Sequence, residues 1–280
     1  MKTRLVSSKE IGSCEETTVN QKVIMRLALL RLHLLLRQKL AWITLLVGAV
    51  LIFLCLIVAN VSFVSPAKIF WDFALGISFL AQHFMAIFLA ATLLGDEQQK
   101  RTLHLLLVNG ASRGQWLLGN LVGVFVALCL ADLFWFLISG LTSFLFYGTS
   151  LSSLLIQVKL LQAASVLVVL AFSQFFSVVL KPMLATVLSI VLTIFLYSIS
   201  SVKRVFADET AGHLIGANWS LKVLNLSKVL PPLEWYDWKI FVGYTEVKSW
   251  SILVGLLLFA LLWTTLISGF SIIAFRKKDL

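Results

Sequence analysis

Six runs of apolar residues, each near the ~20 needed to cross a hydrocarbon layer, constrain this chain more than any other feature. They span residues 40–63, 69–94, 116–147, 154–180, 183–201 and 250–275. The third is long enough to be tilted or broken near Gly140. Only 13% of the 280 residues are charged, against about 25% in an ordinary soluble domain, so a water-soluble globule is excluded. The predicted fold class is therefore an all-α integral membrane protein with six transmembrane helices. The net charge of +10 does not point to nucleic acid, because the cations flank the apolar runs as membrane topology demands. Cys14, Cys55 and Cys129 have neither metal nor redox spacing, and no metal or disulfide framework is expected.

Orientation follows from those cations. Fifteen of the 23 Lys and Arg fall on one side if the chain starts in the cytoplasm: before the first run, in residues 95–119, at Lys181 and at Arg276 to Lys278. Both termini are then cytoplasmic, and Lys68, Lys159 and the loop 202–249 lie outside. Residues 1–21 are polar, and we expect a disordered tail. Residues 22–39, KVIMRLALLRLHLLLRQK, place Lys22, Arg26, His33 and Arg37 within about 60° of one another on a helical wheel, with Arg31 opposite. An interfacial helix on the inner leaflet is expected there, the alternative being a charged flank of the first span.

Residues 95–119, GDEQQKRTLHLLLVNGASRGQWLLG, form a polar island between the second and third runs. Asp96 and Glu97 suit the start of a helix, near the positive end of its dipole. Leu103, Leu106 and Leu107 give it one apolar edge, and Asn109-Gly110 is a helix stop. Ser112 and Gln115 have capping-box spacing and should start the next helix at once. The simplest alternative is a solvated loop. Glu97, Arg101-Thr102-Leu103, Leu105 to Leu107, Ser112-Arg113 and Leu117 to Gly119 together resemble the corresponding segment of permease subunits of type-2 ATP-binding-cassette (ABC) exporters. In that family Gly stands where Arg101 is, Pro near Gly110, and Lys where Asn120 is. Two further stretches are similar to family elements: Leu230-Pro231-Pro232-Leu233-Glu234 ahead of the last run, and the terminus Phe275-Arg276-Lys277-Lys278-Asp279-Leu280. The resemblance spans about residues 22–280. It implies a coupling helix between spans two and three that docks a separate cytosolic ATPase subunit. Glu97, Arg101, Leu103, Leu106, Leu107 and Arg113 would make that contact. It also implies a second permease chain, ATP and Mg on the partner subunit only, and residence in a membrane such as the bacterial inner membrane.

No Gly-x4-Gly-Lys-Ser/Thr loop, HExxH, Cys-x2-Cys or GxSxG occurs, so the chain is not read as an enzyme and needs no cofactor of its own. Asp132 stands in the middle of ALCLADLFWF, where a bare carboxylate costs about 2.5–3.5 kcal/mol. Either it is a proton or substrate site, as in a self-sufficient secondary transporter or channel, or it pairs with a Ser, Thr or Gln of a neighbouring helix. Gln174 is one plausible hydrogen-bond partner, and Gln82, His83 and Gln174 extend the candidate intramembrane polar site. For His83 a hydrogen bond is expected rather than haem ligation. In the outer loop, Leu221, Leu224 and Lys228 suggest a short helix ended by Pro231-Pro232, and Trp235, Tyr236 and Trp238 an interfacial aromatic belt.

Overall fold

A computed structural model describes residues 8–37, 39–61, 65–99, 112–148, 152–199, 201, 230–239 and 249–276. Its elements are α1 (Ser8–Arg37), α2 (Lys39–Asn60), α3 (Pro66–Gln99), α4 (Arg113–Tyr147), α5 (Ser153–Val179), α6 (Pro182–Tyr197), a 3-10 turn (Leu233–Tyr236) and α7 (Trp250–Arg276). Each of the six apolar runs is thus a helix, α2 to α7. Within α3 the stretch Pro66–Thr92, and the whole of α4, α5 and α7, are long and apolar enough to cross a membrane. The apolar stretches Leu46–Asn60 of α2 and Pro182–Tyr197 of α6 are shorter.

Local chemistry sets most of the boundaries. Ser112 Oγ accepts from Gln115 N at 3.2 Å while Ser112 N donates to Gln115 Oε1 at 2.9 Å, so the expected capping box does open α4. Gly148, with φ of 64°, closes the same helix in the left-handed conformation that a Cβ disfavours. Lys181 is the only residue between the end cap of α5, Leu180, and Pro182, the first residue of α6, which gives the tight hairpin the sequence demands.

Two boundaries differ from expectation. Helix α1 begins at Ser8, so residues 8–21, expected to be a disordered tail, belong to it. That stretch holds no proline, and Gly12 is its one strong helix breaker. Helix α3 runs unbroken through Gly95 to Gln99, which puts Asp96 and Glu97 in its last turn, not at the start of a new helix. One glycine costs a helix only about 1 kcal/mol, too little to end a long one. Most of the expected coupling helix lies outside the described residues, as does the expected helix at 221–228.

Helix α5 is the centre of the bundle, packed by α3, α6 and α7, while α4 packs on α3 and carries α1 along its side. The α1–α4 contact depends on two glycines four residues apart. A Cβ on Gly119 would stand 2.7 Å from Leu27 Cβ, and one on Gly123 2.7 Å from the Ala28 carbonyl and 2.8 Å from Arg31 Cβ. Small residues at this spacing let two helix backbones approach. Arg31, the cation that falls off the charged stripe of α1, is therefore the one buried against α4, while Lys22, Arg26, His33 and Arg37 stay exposed.

Candidate functional site: a polar seam inside the bundle

Helices α3 and α5 are both mostly apolar, yet the faces they turn to each other are polar. On α3 the residues are Ser78, Gln82 and His83; on α5 they are Lys159, Gln162 and Ser165, spaced three apart and so aligned along one face. They meet in order. Lys159 Nζ donates to Ser78 Oγ at 2.9 Å, Gln162 Nε2 donates to Gln82 Oε1 at 2.9 Å, and Ser165 Oγ lies 3.3 Å from His83 Nε2. With little water to compete, polar groups on facing helices satisfy one another, and this holds the α3–α5 register.

Asp132 of α4 joins the top of this ladder. Its Oδ1 accepts from Lys159 Nζ at 2.7 Å, and the side chains of the pair are 11% (Lys159) and 10% (Asp132) exposed. One ammonium thus ties α3, α4 and α5 together and rests 5.9 Å from the Phe136 ring. The partner of Asp132 is therefore a lysine and not Gln174. Gln174 lies nearer the other end of α5, where its Nε2 donates to the Leu117 carbonyl at 2.7 Å. Lys159, expected on the outer side, lies inside the bundle, where Asp132 and Ser78 complete its ammonium.

His83 ends the ladder with both ring nitrogens engaged. Nδ1 is 2.7 Å from the Phe79 carbonyl, which can only accept, so Nδ1 carries the hydrogen and Nε2 is the acceptor. The Tyr197 hydroxyl, 3.0 Å away, donates to Nε2; the Ser165 hydroxyl is already given to the Gln162 carbonyl at 2.8 Å. Phe79, His83 and Tyr197 form a ring cluster with centroids 4.3–5.5 Å apart. Lys239 caps it, its ammonium 3.6 Å from the Phe79 centroid and 3.4 Å from Asp237 Oδ2.

Lys239 reaches this position because the segment before it is inserted in the bundle. Leu233, Tyr236 and Trp238 are buried, whereas Trp235 is half exposed. The expected aromatic belt is corrected accordingly: two of its three rings point inward. The Tyr236 hydroxyl donates to the Leu256 carbonyl at 3.2 Å, and burial pushes that phenol up to about 12, so it stays a donor at neutral pH.

At the opposite end of the bundle, Arg113, expected at the rim of a docking surface, is fastened to the end of α7. Its guanidinium donates to the Phe275 carbonyl at 3.1 Å and lies over the Phe275 ring, on which Trp116 stacks at 5.8 Å. A cation on the last carbonyls of α7 suits the negative end of that helix. Glu97 is in the last turn of α3; Arg101, Leu103, Leu106 and Leu107 lie outside the described residues.

Of the seam, the sequence singled out Asp132, Gln82 and His83 but passed over Lys159, Gln162, Ser165, Tyr197 and Lys239. One signal was available: Gln162, Ser165, Ser173 and Ser177 recur at helical spacing within an otherwise apolar run.

Apolar helices joined internally by a buried ion pair and by amides define a polytopic membrane protein. Residues 53–280 match the family described as ABC-2 family transporter protein, and the chain belongs to that family. No curated protein matches the chain. It is thus the membrane component, or permease, of an ABC transporter, a class that is not itself catalytic and that associates with an ABC ATPase.

Proposed function

We propose that the chain is a six-span permease subunit of an ATP-driven exporter, with both termini in the cytoplasm of a cell such as a bacterium. It pairs with a second permease chain, and each docks one cytosolic nucleotide-binding subunit through residues 95–110. ATP and Mg belong to that subunit. What supports this most is the pair of helix ends on either side of residues 100–111: α3 is one continuous helix to Gln99, and α4 opens on a capping box with Arg113 fastened to the end of α7. A push on this segment is delivered to α3, which carries Ser78, Gln82 and His83, and to α4, which carries Asp132. Closure of the ATPase dimer would tilt both helices and rearrange the seam between two packings, which is alternating access. Leu103, Leu106 and Leu107 supply the apolar contact, with Glu97, Arg101 and Arg113 at its polar rim.

A self-sufficient transporter that uses Asp132 as its proton site would have to break the Lys159 pair at every turnover, and the geometry does not favour it. The test is purification of the tagged chain from native membranes. A stoichiometric ATPase is expected, lost when residues 97–107 are scrambled, and Leu106→Asp should leave insertion intact while uncoupling ATP hydrolysis from transport. An ATPase-free preparation that still transports down a proton gradient would overturn the proposal.

A further inference from the structure

Lys22, Arg26, His33 and Arg37 are exposed and stand in one line along α1, about 22 Å from end to end. The line faces outward because the opposite face is taken: Gly119 and Gly123 of α4 admit Leu27, Ala28 and Arg31 there. Met25 and Leu29 border the cations on one side, Leu30 and Leu34 on the other, and all four are about half exposed. No Asp or Glu occurs between Glu16 and Asp72, and no residue of the line pairs with an acidic side chain among the described residues. Packing sets the depth. Leu35 shares a buried cluster with Ala86 and Ala90 of α3 and with Leu121 and Val124 of α4. Ala86 and Ala90 are near the end of Pro66–Thr92, the stretch of α3 able to cross a membrane. Leu27 packs against Trp116, Leu117 and Phe275, where α4 begins and α7 ends. This part of α1 therefore lies against the ends of the crossing helices, where hydrocarbon gives way to head groups.

We infer that this face of α1 is a binding site for anionic phospholipid, whose head-group phosphates meet the cations while Met25, Leu29, Leu30 and Leu34 enter the acyl region. Charge complementarity names the head group. A row of cations with no acid beside it attracts an anionic leaflet, whereas a zwitterionic head carries a cation of its own that weakens the attraction. The apolar borders name the rest of the ligand, since free phosphate or a nucleic acid would leave them in water. The depth of Leu35 favours lipid over a cytosolic protein, which would have to enter the edge of the bilayer to cover that end of the line. Lipid held here also steadies α4, on which α1 is seated and which carries Asp132. The inference requires the chain to span a membrane and is independent of what drives transport, so it and the exporter proposal can fail separately.

The test places the full chain in phosphatidylcholine nanodiscs with a trace of phosphatidylglycerol carrying a head-group diazirine, and mass spectrometry locates the label. Saturable labelling within residues 22–37 is expected. Added phosphatidylglycerol should displace the probe at least about 5-fold better than the same amount of zwitterionic phosphatidylethanolamine, the worth of one cation at a charged surface. High salt should erase the difference. The triple variant Lys22→Gln, Arg26→Gln, Arg37→Gln should lose the preference and keep the parent's thermal midpoint, because all three positions are exposed. Lys181→Gln with Arg276→Gln removes two exposed cations at the same end of the bundle and should leave the preference intact. Equal displacement by the two lipids overturns the inference, as does a preference that survives the triple variant or is lost as fully in the Lys181 and Arg276 pair. Protection of residues 22–37 from the probe only while a co-purified ATPase is bound would also overturn it, since an acidic face of that subunit would then be the occupant.

Discussion

Helices α5 and α7 are each 27 residues long and are nearly matched in hydropathy, yet 78% of the most apolar stretch of α5 is buried inside the bundle against 28% for α7. Hydropathy alone cannot tell them apart, because lipid tails and neighbouring helices are equally apolar surroundings. What separates them is where the polar residues go. Helix α5 turns Lys159, Gln162, Ser165 and Gln174 toward partners on α3 and α4, whereas Thr264 and Ser271 of α7 bond back to carbonyls one turn earlier. Self-satisfied hydroxyls allow a helix to face lipid. An amide or an ammonium that needs another helix to complete it draws its own helix inside.

The sharpest way to break this contrast is at Lys159. Replacing it by Met leaves Asp132 buried without its counter-charge, and a loss of about 3–5 kcal/mol is expected, read as a collapse of the thermal midpoint in a fixed detergent. Adding Asp132→Leu should restore most of it, since a buried ion pair is often no better than apolar packing. A single variant as stable as the parent would show that Asp132 has other support. Next in size is Leu161→Ala, at a fully buried position of α5, where the cavity should cost about 2 kcal/mol in the same assay. Tyr197→Phe removes the donor to His83 and should cost about 1 kcal/mol. If the seam is part of the transport cycle, that variant will also change coupled ATP hydrolysis by more than its stability loss explains.

The sequence made the two helix junctions legible where the chemistry is local. Lys181-Pro182 and the Ser112–Gln115 box each lie within a few residues, and all six apolar runs became helices close to their expected bounds. It misled where a residue has two physical uses. Lys159 was counted as a cation marking the outer side, but an ammonium beside a buried carboxylate is a bond inside the bundle. Trp235, Tyr236 and Trp238 fit a membrane interface by composition, yet the 3-10 turn at Leu233–Tyr236 rotates two of them into the core. Asp96 and Glu97 favour a helix start by a few tenths of a kcal/mol each, which is outweighed once α3 is already propagating. The pairing of Asp132 with Lys159 joins residues far apart in the chain and could be chosen over Gln174 only after α4 and α5 were placed side by side.

The smallest expected effect lies on α7. Leu258 is 62% exposed on the outer face of that helix, and Leu258→Ala should change stability by no more than about 0.5 kcal/mol if the face meets lipid, because a lipid tail refills the space the side chain leaves. This is the counterpart of Leu161→Ala, the same chemical change in a helix of the same length. The ratio of the two losses measures the difference in their surroundings directly. Should Leu258→Ala instead cost as much as Leu161→Ala, and only at protein concentrations where the chain is dimeric, the outer face of α7 would be a contact between two copies of the chain. Its low burial would then belong to the lone chain and not to the working transporter. A dilution series of the thermal midpoint for both variants decides between the two, since a lipid-facing position gives a concentration-independent difference and an interface position does not.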